Sequence, residues 1–451
     1  MLPSFRDHDQ QTFFKLSQPI DMALFQPLPL EEGYVVGGAV RDLFLKRLIS
    51  DIDWLVTSAK DEAQRVADLL GGSLICLDAE RDYYRVMAAG VQRDYAPFAD
   101  LVQDLARRDI SFNAMALDFQ GRVIDPHGGL DDLRAGFVRV FRHENLKEDP
   151  LRAFRVIRFA SQLGFDIVPE TQAAIQQLFA QFAASGDVLE SFAAAERIQD
   201  ELNKILLSPR AAKGIHALED LGLLRVSLME LGEGKGLEQG PFHHLDVFNH
   251  SVMALAALID LFPDASLELR LATLLHDIGK PRSYQDGHFY GHDTLGAELS
   301  EIMLKRLKYP KAVQERVATL IRHHMLPLPK DEKEARRFVV RRHGLLPDLL
   351  KVMIADREAA RGILSSEANR NHYRKSLSMI LGILAESPPK PPLLNGHEVM
   401  ALLKLPAGKY IGEALDFLRE SEAVGDISTK SEAEEALLHY AKAQAWLADS
   451  T

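Results

Sequence analysis

Between residues 31 and about 140, apolar positions come in short runs separated by polar turns: YVVGG, DIDWLV, SLICLD, RVMAAG and RVIDP. Runs of that length and composition predict strands, so this stretch is expected to form an α/β or α+β domain. From Glu148 onward the apolar period becomes helical almost without interruption. In EDPLRAFRVIRFASQLGF, residues Leu151, Phe154, Ile157 and Leu163 stand close to helical spacing. Asp149 suits the helix cap there and Pro150 the first helical position. Two breaks punctuate the pattern. LGEGKGLEQGP at 231–241 is glycine-rich and is expected to join two helical bodies, and ESPPKPP at 386–392 is a proline-rich spacer before a last small helical unit. The organisation predicted is an N-terminal extension (1–30), a mixed head (31–140), a helical segment (141–230), a second helical region (242–370) and a helical tail (393–451).

Composition narrows the class. A chain of 451 residues exceeds a single core. With 47% hydrophobic and 26% charged residues it has the balance of an ordinary globular protein. The single cysteine, Cys76, excludes an intramolecular disulfide and fits a reducing compartment. No apolar run reaches the roughly 18 residues of a membrane span, and the N-terminus carries acids early without a signal-peptide core. A soluble cytoplasmic protein with no membrane partner is expected. The net charge of −12 argues against wholesale coating of nucleic acid. A local basic track nevertheless runs through Arg107, Arg108, Arg134, Arg139, Arg142, Arg152, Arg155 and Arg158.

The first candidate chemistry lies in GGAVRDLFLKRLISDIDWLV, residues 37–56. Alternation along a strand puts Asp51 and Asp53 on one face and Trp54 on the other. Paired carboxylates can hold one or two Mg²⁺ ions, which favour a few carboxylates together with triphosphate oxygens. Such ions can activate an attacking hydroxyl and stabilise a leaving pyrophosphate. Gly37 and Gly38 let the backbone approach phosphates, and Arg41 adds positive charge. A lone D-x-D pair is more often solvated surface; the glycines and Arg41 beside it are what point to a triphosphate. In ARRDISFNAMALD, Arg107 and Arg108 offer guanidinium forks for phosphates, while Asp109 and Asn113 offer polar groups for a ribose. Asp149, Arg152 and Arg155 recur at intervals of three and share a helical face.

The motifs GGAVRD, DID, RRDISFNA, DPHGGLDDLRAG, EDPLRAFRVIRF and ERIQDELNKIL, within residues 34–206, resemble those of class II tRNA nucleotidyltransferases and bacterial poly(A) polymerases in order and spacing. The resemblance implies an α+β chain: a polymerase-β-like nucleotidyltransferase palm followed by mostly α-helical neck, body and tail regions. It also implies addition of nucleotides to a tRNA 3′ end without a nucleic-acid template. By the same resemblance Asp51 and Asp53 bind catalytic Mg²⁺, with Asp94 a candidate auxiliary carboxylate. Gly37, Gly38, Arg41, Arg108, Asp109 and Asn113 hold the triphosphate and sugar. Asp149 and Arg152 read the base, with Arg155 close by. A carboxylate accepting from an exocyclic amine beside a guanidinium donating to a ring nitrogen matches cytosine and adenine, whereas uracil and guanine leave groups unpaired.

Members of that family that add CCA, or A alone, carry a long flexible segment before the RRD motif. Here QRDYAPFADLVQDLARRD leaves only about ten residues between Asp94 and the arginines, and Pro97, Phe98 and Ala99 replace the usual T-F-R strand ending. The resemblance therefore implies a CC-adding enzyme that uses CTP and acts before a separate A-adding enzyme. A full CCA-adding enzyme using CTP and ATP is the alternative, and a poly(A) polymerase fits less well because the tail is not basic. An RNA-binding phosphohydrolase with an inactive palm is the rival of a different class; the intact Asp51, Asp53, Asp149 and Arg152 count against it.

The second half holds FNHSVMAL, LLHDIGKP, YGHDTLGAE, IRHHM and IADREA. Imidazole and carboxylate together suit a transition metal or Mg²⁺ that activates water. The order H…HD…D is similar to the HD phosphohydrolase superfamily across residues 242–360. That resemblance implies a divalent metal of unspecified identity on His250, His276, Asp277 and Asp356. It also implies that Lys280, His292, His323 and His324 contact phosphate or a second metal. Phosphomonoesters or 2′,3′-cyclic phosphates would be the substrates.

Overall fold

Short β-rich runs bracket the first candidate site, and they pair. The computed structural model describes residues 22–29, 32–185, 194–240, 244–360, 367–386 and 392–446. Most of the expected N-terminal extension, the middle of the proline-rich spacer and the first two residues of the expected second helical region lie outside the described residues. The chain divides into two compact units: Met1–Gly232 with Lys305–Tyr309, and Glu233–Leu304 with Pro310–Thr451. The division falls inside the glycine-rich segment.

In the first unit, β1 (Gly33–Val36) leads through α1 (Gly38–Phe44) to β2 (Asp51–Val56). Then follow α2 (Ala59–Leu70), β3 (Ser73–Asp78), β4 (Tyr83–Ala88), β5 (Val91–Pro97), α3 (Leu101–Ala106), β6 (Ala116–Asp118) and β7 (Val123–Ile124). The seven strands form one sheet in the order β3-β4-β5-β2-β1-β6-β7. Only β2 and β5 are parallel, with Asp53 opposite Asp94; the other pairs are antiparallel. Ile52, Trp54 and Val56 are buried, as are Ala63, Val66 and Ala67 of α2, which packs on β4 and β5. This apolar face leaves the alternate positions of β2, Asp51 and Asp53, on the other side. β3 is an edge strand, and Ile75, Cys76 and Leu77 on it are exposed. Its register shifts between Cys76 and Asp78.

The helical part of this unit runs through α4 (Gly129–Ala135), β8 (Phe137–Val138), α5 (Glu144–Glu148), α6 (Leu151–Leu163), β9 (Asp166–Ile167), α7 (Pro169–Ser185), α8 (Ala195–Leu206), α9 (Ala211–Asp220), α10 (Leu224–Ser227) and α11 (Met229–Gly232). The start of α6 differs by one position from expectation: Pro150 is the cap residue. Asp149 is extended, and its Oδ1 accepts the Leu151 N–H at 3.2 Å. The side chain therefore still satisfies a first-turn donor.

In the second unit come α12 (Val247–Leu261), α13 (Leu267–Leu275), α14 (Lys280–Ser283), β10 (Tyr284–Gln285), β11 (His288–Phe289), α15 (His292–Arg306), α16 (Lys311–His323), α17 (Glu332–Arg342), α18 (Asp348–Ala359) and α19 (Glu367–Ala385). The tail adds α20 (Gly396–Leu403), α21 (Lys409–Ala423) and α22 (Lys430–Ala443) around a core of its own that includes Val399, Leu403, Leu418 and Leu437. Every residue from Leu269 to Leu275 is buried. A helix covered on all sides belongs in an interior, and α13 packs against α12, α16 and α18, with Arg270 donating to the carbonyls of Ala265 and Pro263. Among the described residues no helix is long and apolar enough to cross a membrane.

The segment carrying RRDISFN is pinned by α4. Asp125 accepts the N–H groups of Gly129 and Leu130 at 2.8 and 2.9 Å, and Ser111 Oγ donates to Asp132 at 2.6 Å. A Cβ on Gly129 would stand 2.4 Å from the Ser111 carbonyl oxygen. Gly129→Ala should therefore cost about 3 kcal/mol in urea denaturation, since backbone must move. Gly90→Ala, in open space at φ 76°, should cost only about 1 kcal/mol. Equal costs would refute the steric account.

Candidate functional site

The parallel pairing of β2 with β5 brings Asp51, Asp53 and Asp94 together, with one carboxylate oxygen from each within 4.8 Å of the others. Arg85 grips both oxygens of Asp94 at 2.7 Å, and Gln92 Nε2 donates to Asp51 at 2.9 Å. Burial pushes the Asp53 carboxyl up to about 6, Arg108 pulling the other way and Asp51 and Asp94 reinforcing the rise. Burial and Asp94 likewise raise Asp51. The three acids repel one another, and an all-oxygen donor set of this kind suits a hard divalent cation such as Mg²⁺.

Gly37 adopts φ 73°, and a Cβ there would lie 2.6 Å from Arg108 Nη1. Its N–H is committed to the Met115 carbonyl at 3.2 Å. Gly37 thus serves by its turn and by the room it leaves for Arg108, whereas Gly38 opens α1. Arg41 Nη1 donates to Asn113 at 2.9 Å, Asn113 Nδ2 to Asp109 at 3.2 Å, and Arg155 Nε to Asp109 at 2.5 Å. Burial alone would raise the Asp109 carboxyl, but Arg155 and Asn113 hold it below its usual value. A continuous polar chain therefore joins α1, the RRD segment and α6.

Asp51, Asp53, Gly37, Gly38, Arg41, Arg108, Asp109, Asn113 and Arg155 line one cleft of about 750 Å³ together with Arg107, Asp149, Leu151, Arg152, Arg158, Phe159, Gln162, Arg197, Asp200, Glu201 and Lys204; Asp94 is not among the lining residues. Arg134 and Arg139 of the basic track are not among the lining residues; they pair with Asp131 and Asp132 of α4. Sequence reasoning singled out no residue of ERIQDELNKIL. The structure places Arg197 Nη2 2.8 Å from Asp149 Oδ2, and Glu201 3.0 Å from Arg158. The available signal was the three- and four-residue spacing of Arg197, Glu201 and Lys204, which puts them on one face of α8. Asn145 was also missed: its Nδ2 donates to the carbonyls of Ala106 and Arg108 at 3.0 and 2.7 Å, and its own carbonyl accepts from Arg152.

In the second unit, α13 delivers His276 and Asp277 to the interior, α12 supplies His250 and α18 supplies Asp356. His250 Nε2 lies 3.0 Å from Asp356 Oδ1 and 3.3 Å from His276 Nε2, which is itself 3.1 Å from Asp277 Oδ2. Lys280 Nζ donates to the same Asp277 oxygen at 2.7 Å. On the other side of that carboxylate, Oδ1 faces His292 Nε2 at 3.5 Å and His324 Nε2 at 3.8 Å. Both of these Nε2 atoms are buried without a hydrogen-bond partner. Their Nδ1 atoms sit 2.8 Å from the Phe289 carbonyl and 2.6 Å from that of Ile321. A carbonyl can only accept, so Nδ1 carries a proton, and in the neutral ring Nε2 presents a lone pair. Two clusters with metal-ligand spacing result: His250, His276 and Asp356, and His276, Asp277 and His324. His292 and His323 belong to neither; His323 Nδ1 bonds the Thr319 carbonyl at 2.8 Å.

Although burial opposes it, Asp277 and Asp356 push His276 up to about 10, and both carboxyls fall well below their usual range. His324 is driven down to about 4 by burial and by His276. The cluster therefore calls for positive charge while keeping a neutral imidazole on hand. Mixed nitrogen and oxygen donors of this kind fit a transition metal or Mg²⁺.

The raised Asp53 gives a signed prediction. In the chelator-treated protein its charge is a cost to the folded state above pH 6, and that cost disappears as the pH falls toward the ordinary value of 3.8. Asp53→Asn should stabilise the protein by on the order of 2 kcal/mol at pH 8, with the gain closing toward pH 4. A gain independent of pH would refute it.

Three family models match the chain: the poly(A) polymerase head domain over residues 78–139, the probable RNA and SrmB-binding site of polymerase A over 164–233, and the HD domain over 247–361. An A-adding tRNA nucleotidyltransferase of Deinococcus radiodurans is 48% identical over 407 residues, 88% of this chain and 93% of the relative. A CC-adding tRNA nucleotidyltransferase of Thermus thermophilus is 40% identical over 428 residues, 93% of this chain and 96% of the relative. Among solved structures, the Bacillus stearothermophilus CCA-adding enzyme in complex with CTP superposes with a TM-score of 0.62 at 23% identity, covering 92% of this chain and 94% of that one, which establishes the likeness of fold. With a palm sheet carrying its acids opposite an arginine-lined helix, and relatives matched over nearly their whole length, the chain belongs to the tRNA nucleotidyltransferase family.

Proposed function

We propose that this enzyme adds C residues to the tRNA 3′ end from CTP and stops before the terminal A, leaving that step to a separate A-adding enzyme. The observation that carries the reading is the link between β5 and α3. β5 ends at Pro97 and α3 begins at Leu101. Asp100 accepts the N–H groups of Val102 and Gln103 at 2.8 and 3.1 Å, so the strand turns directly into the helix. No segment is left there to act as a lever on the base-reading residues, and a pocket without a lever suits one base.

In this reading Asp51, Asp53 and Asp94 hold Mg²⁺, which when bound activates the 3′-hydroxyl and neutralises charge on the departing pyrophosphate. Arg41, Arg108 and Arg155 bind phosphate oxygens, and the Asp109–Asn113 pair orients the ribose. Asp149 accepts from the exocyclic amine of cytosine while Arg152 donates to its ring. A second reading, addition of A alone from ATP, is favoured by the 48% identity to the A-adding relative, whereas the short link between β5 and α3 counts against it.

Labelled CTP and ATP, offered to tRNA transcripts ending at the discriminator base, after one C and after two, separate the readings at single-nucleotide resolution. Two C additions and then a halt is the expected result. Incorporation of A alone onto the CC-ended transcript supports the second reading, and both together mean a full CCA-adding enzyme. Asp51→Ala should reduce incorporation at least a hundredfold; retained incorporation would remove the carboxylates from the mechanism.

The second unit is proposed to hydrolyse phosphomonoesters or 2′,3′-cyclic phosphates. Divalent metal would be held by His250, His276 and Asp356, and a second ion by His276, Asp277 and His324, with Lys280 available to the phosphate. His276→Ala and Asp277→Ala should each abolish metal-dependent phosphatase activity while leaving nucleotide incorporation within about twofold. Parallel loss of both activities would refute two separate sites.

A further inference from the structure

Phe159 is an apolar side chain in a polar cleft. Its ring is 5% exposed and packs edge-on against Phe112, with centroids 5.6 Å apart and planes at 89°. It nevertheless lines the arginine-rich cleft of the first unit. Three guanidinium carbons surround the ring centroid: Arg158 at 4.3 Å, Arg41 at 5.0 Å and Arg155 at 5.9 Å. Arg41 comes from α1 in the palm, whereas Arg155 and Arg158 come from α6. One aromatic ring is thus shared by cations from two elements.

Cations gathered this closely repel one another. Carboxylates answer part of the repulsion: Asp109 pairs with Arg155 and Glu201 with Arg158. Arg41 pairs with Asp42 on its own helix. What the three guanidinium groups have in common is the ring, whose electron-rich face attracts cations.

We propose that Phe159 is a positioning residue for the triphosphate. Its face keeps Arg41, Arg155 and Arg158 assembled before the nucleotide arrives, so the polyanion meets cations already in place. Gathering them at the moment of binding would cost side-chain entropy and charge repulsion. Phe159 touches no phosphate; it acts through the arginines. The inference rests on reading this cleft as the nucleotide site.

The test alters the ring's electrons while nearly keeping its shape. Phe159 is replaced in the full chain by 4-fluoro-, 3,5-difluoro- and pentafluorophenylalanine, and incorporation kinetics are measured. KM for the incorporated nucleoside triphosphate should rise step by step, reaching roughly tenfold with the pentafluoro ring. The kcat and the KM for tRNA should stay within about twofold of the unsubstituted enzyme. Phe159→Leu should raise the triphosphate KM similarly and Phe159→Tyr should not. A triphosphate KM that is flat across the fluorinated series, or Tyr as damaging as Leu, would overturn the proposal and leave the ring as filler. Failure of the underlying reading looks different: full incorporation by Asp51→Ala, or no incorporation by the unsubstituted chain, would overturn both.

Discussion

The register of two parallel strands governs the first site. Because β2 runs alongside β5 with Asp53 opposite Asp94, three carboxylates converge on one face of the sheet while Trp54 and Tyr95 are buried among its apolar contacts. A slip of one residue would exchange those faces and destroy both core and site at once. The convergence also leaves an electrostatic deficit that the protein's own groups do not close. Arg85 and Arg108 relieve part of it, yet Asp53 stays raised. The rest of the cleft follows from the same frame: α1 starts from the Gly37 turn at the end of β1, beside β2, and the polar chain from Arg41 to Arg155 ties α1 to α6.

The two units answer similar needs with different materials. The palm offers carboxylate oxygens on an open strand face, where an ion can exchange with the nucleotide that brings it. The second unit offers imidazole and carboxylate around the buried end of α13, where Asp277 and Asp356 favour positive charge on His276. Hydrogen bonds to backbone carbonyls fix the ring orientations of His276, His292 and His324. That arrangement leaves Nε2 directed inward without dependence on other side chains.

Local period explains what could be read from sequence alone. Asp51 and Asp53 were legible because a period of two and a neighbouring glycine turn lie within one short stretch. Asp94 stood out weakly, since its place depends on a pairing between strands some 40 residues apart. Arg197 and Glu201 escaped for the same reason: their partners, Asp149 just before α6 and Arg158 within it, lie some 40 residues or more earlier in the chain. The adjacent histidines after Leu320 were indistinguishable as letters. Only the end of α16 separates them: His323 closes the last turn, and His324, just past it, meets Asp277.

The edge strand β3 carries a further consequence. An exposed strand with Ile75, Cys76 and Leu77 in sequence is a ready template for another chain. The register shift between Cys76 and Asp78 breaks the even ladder that such templating requires, and the shifted strand ends on a charged residue. The sheet thereby stops itself at seven strands. Its carboxylates, on β5 and β2, stand at least two strands in from that sticky border, so a surface prone to self-association and a surface that must stay open to solvent coexist on one sheet.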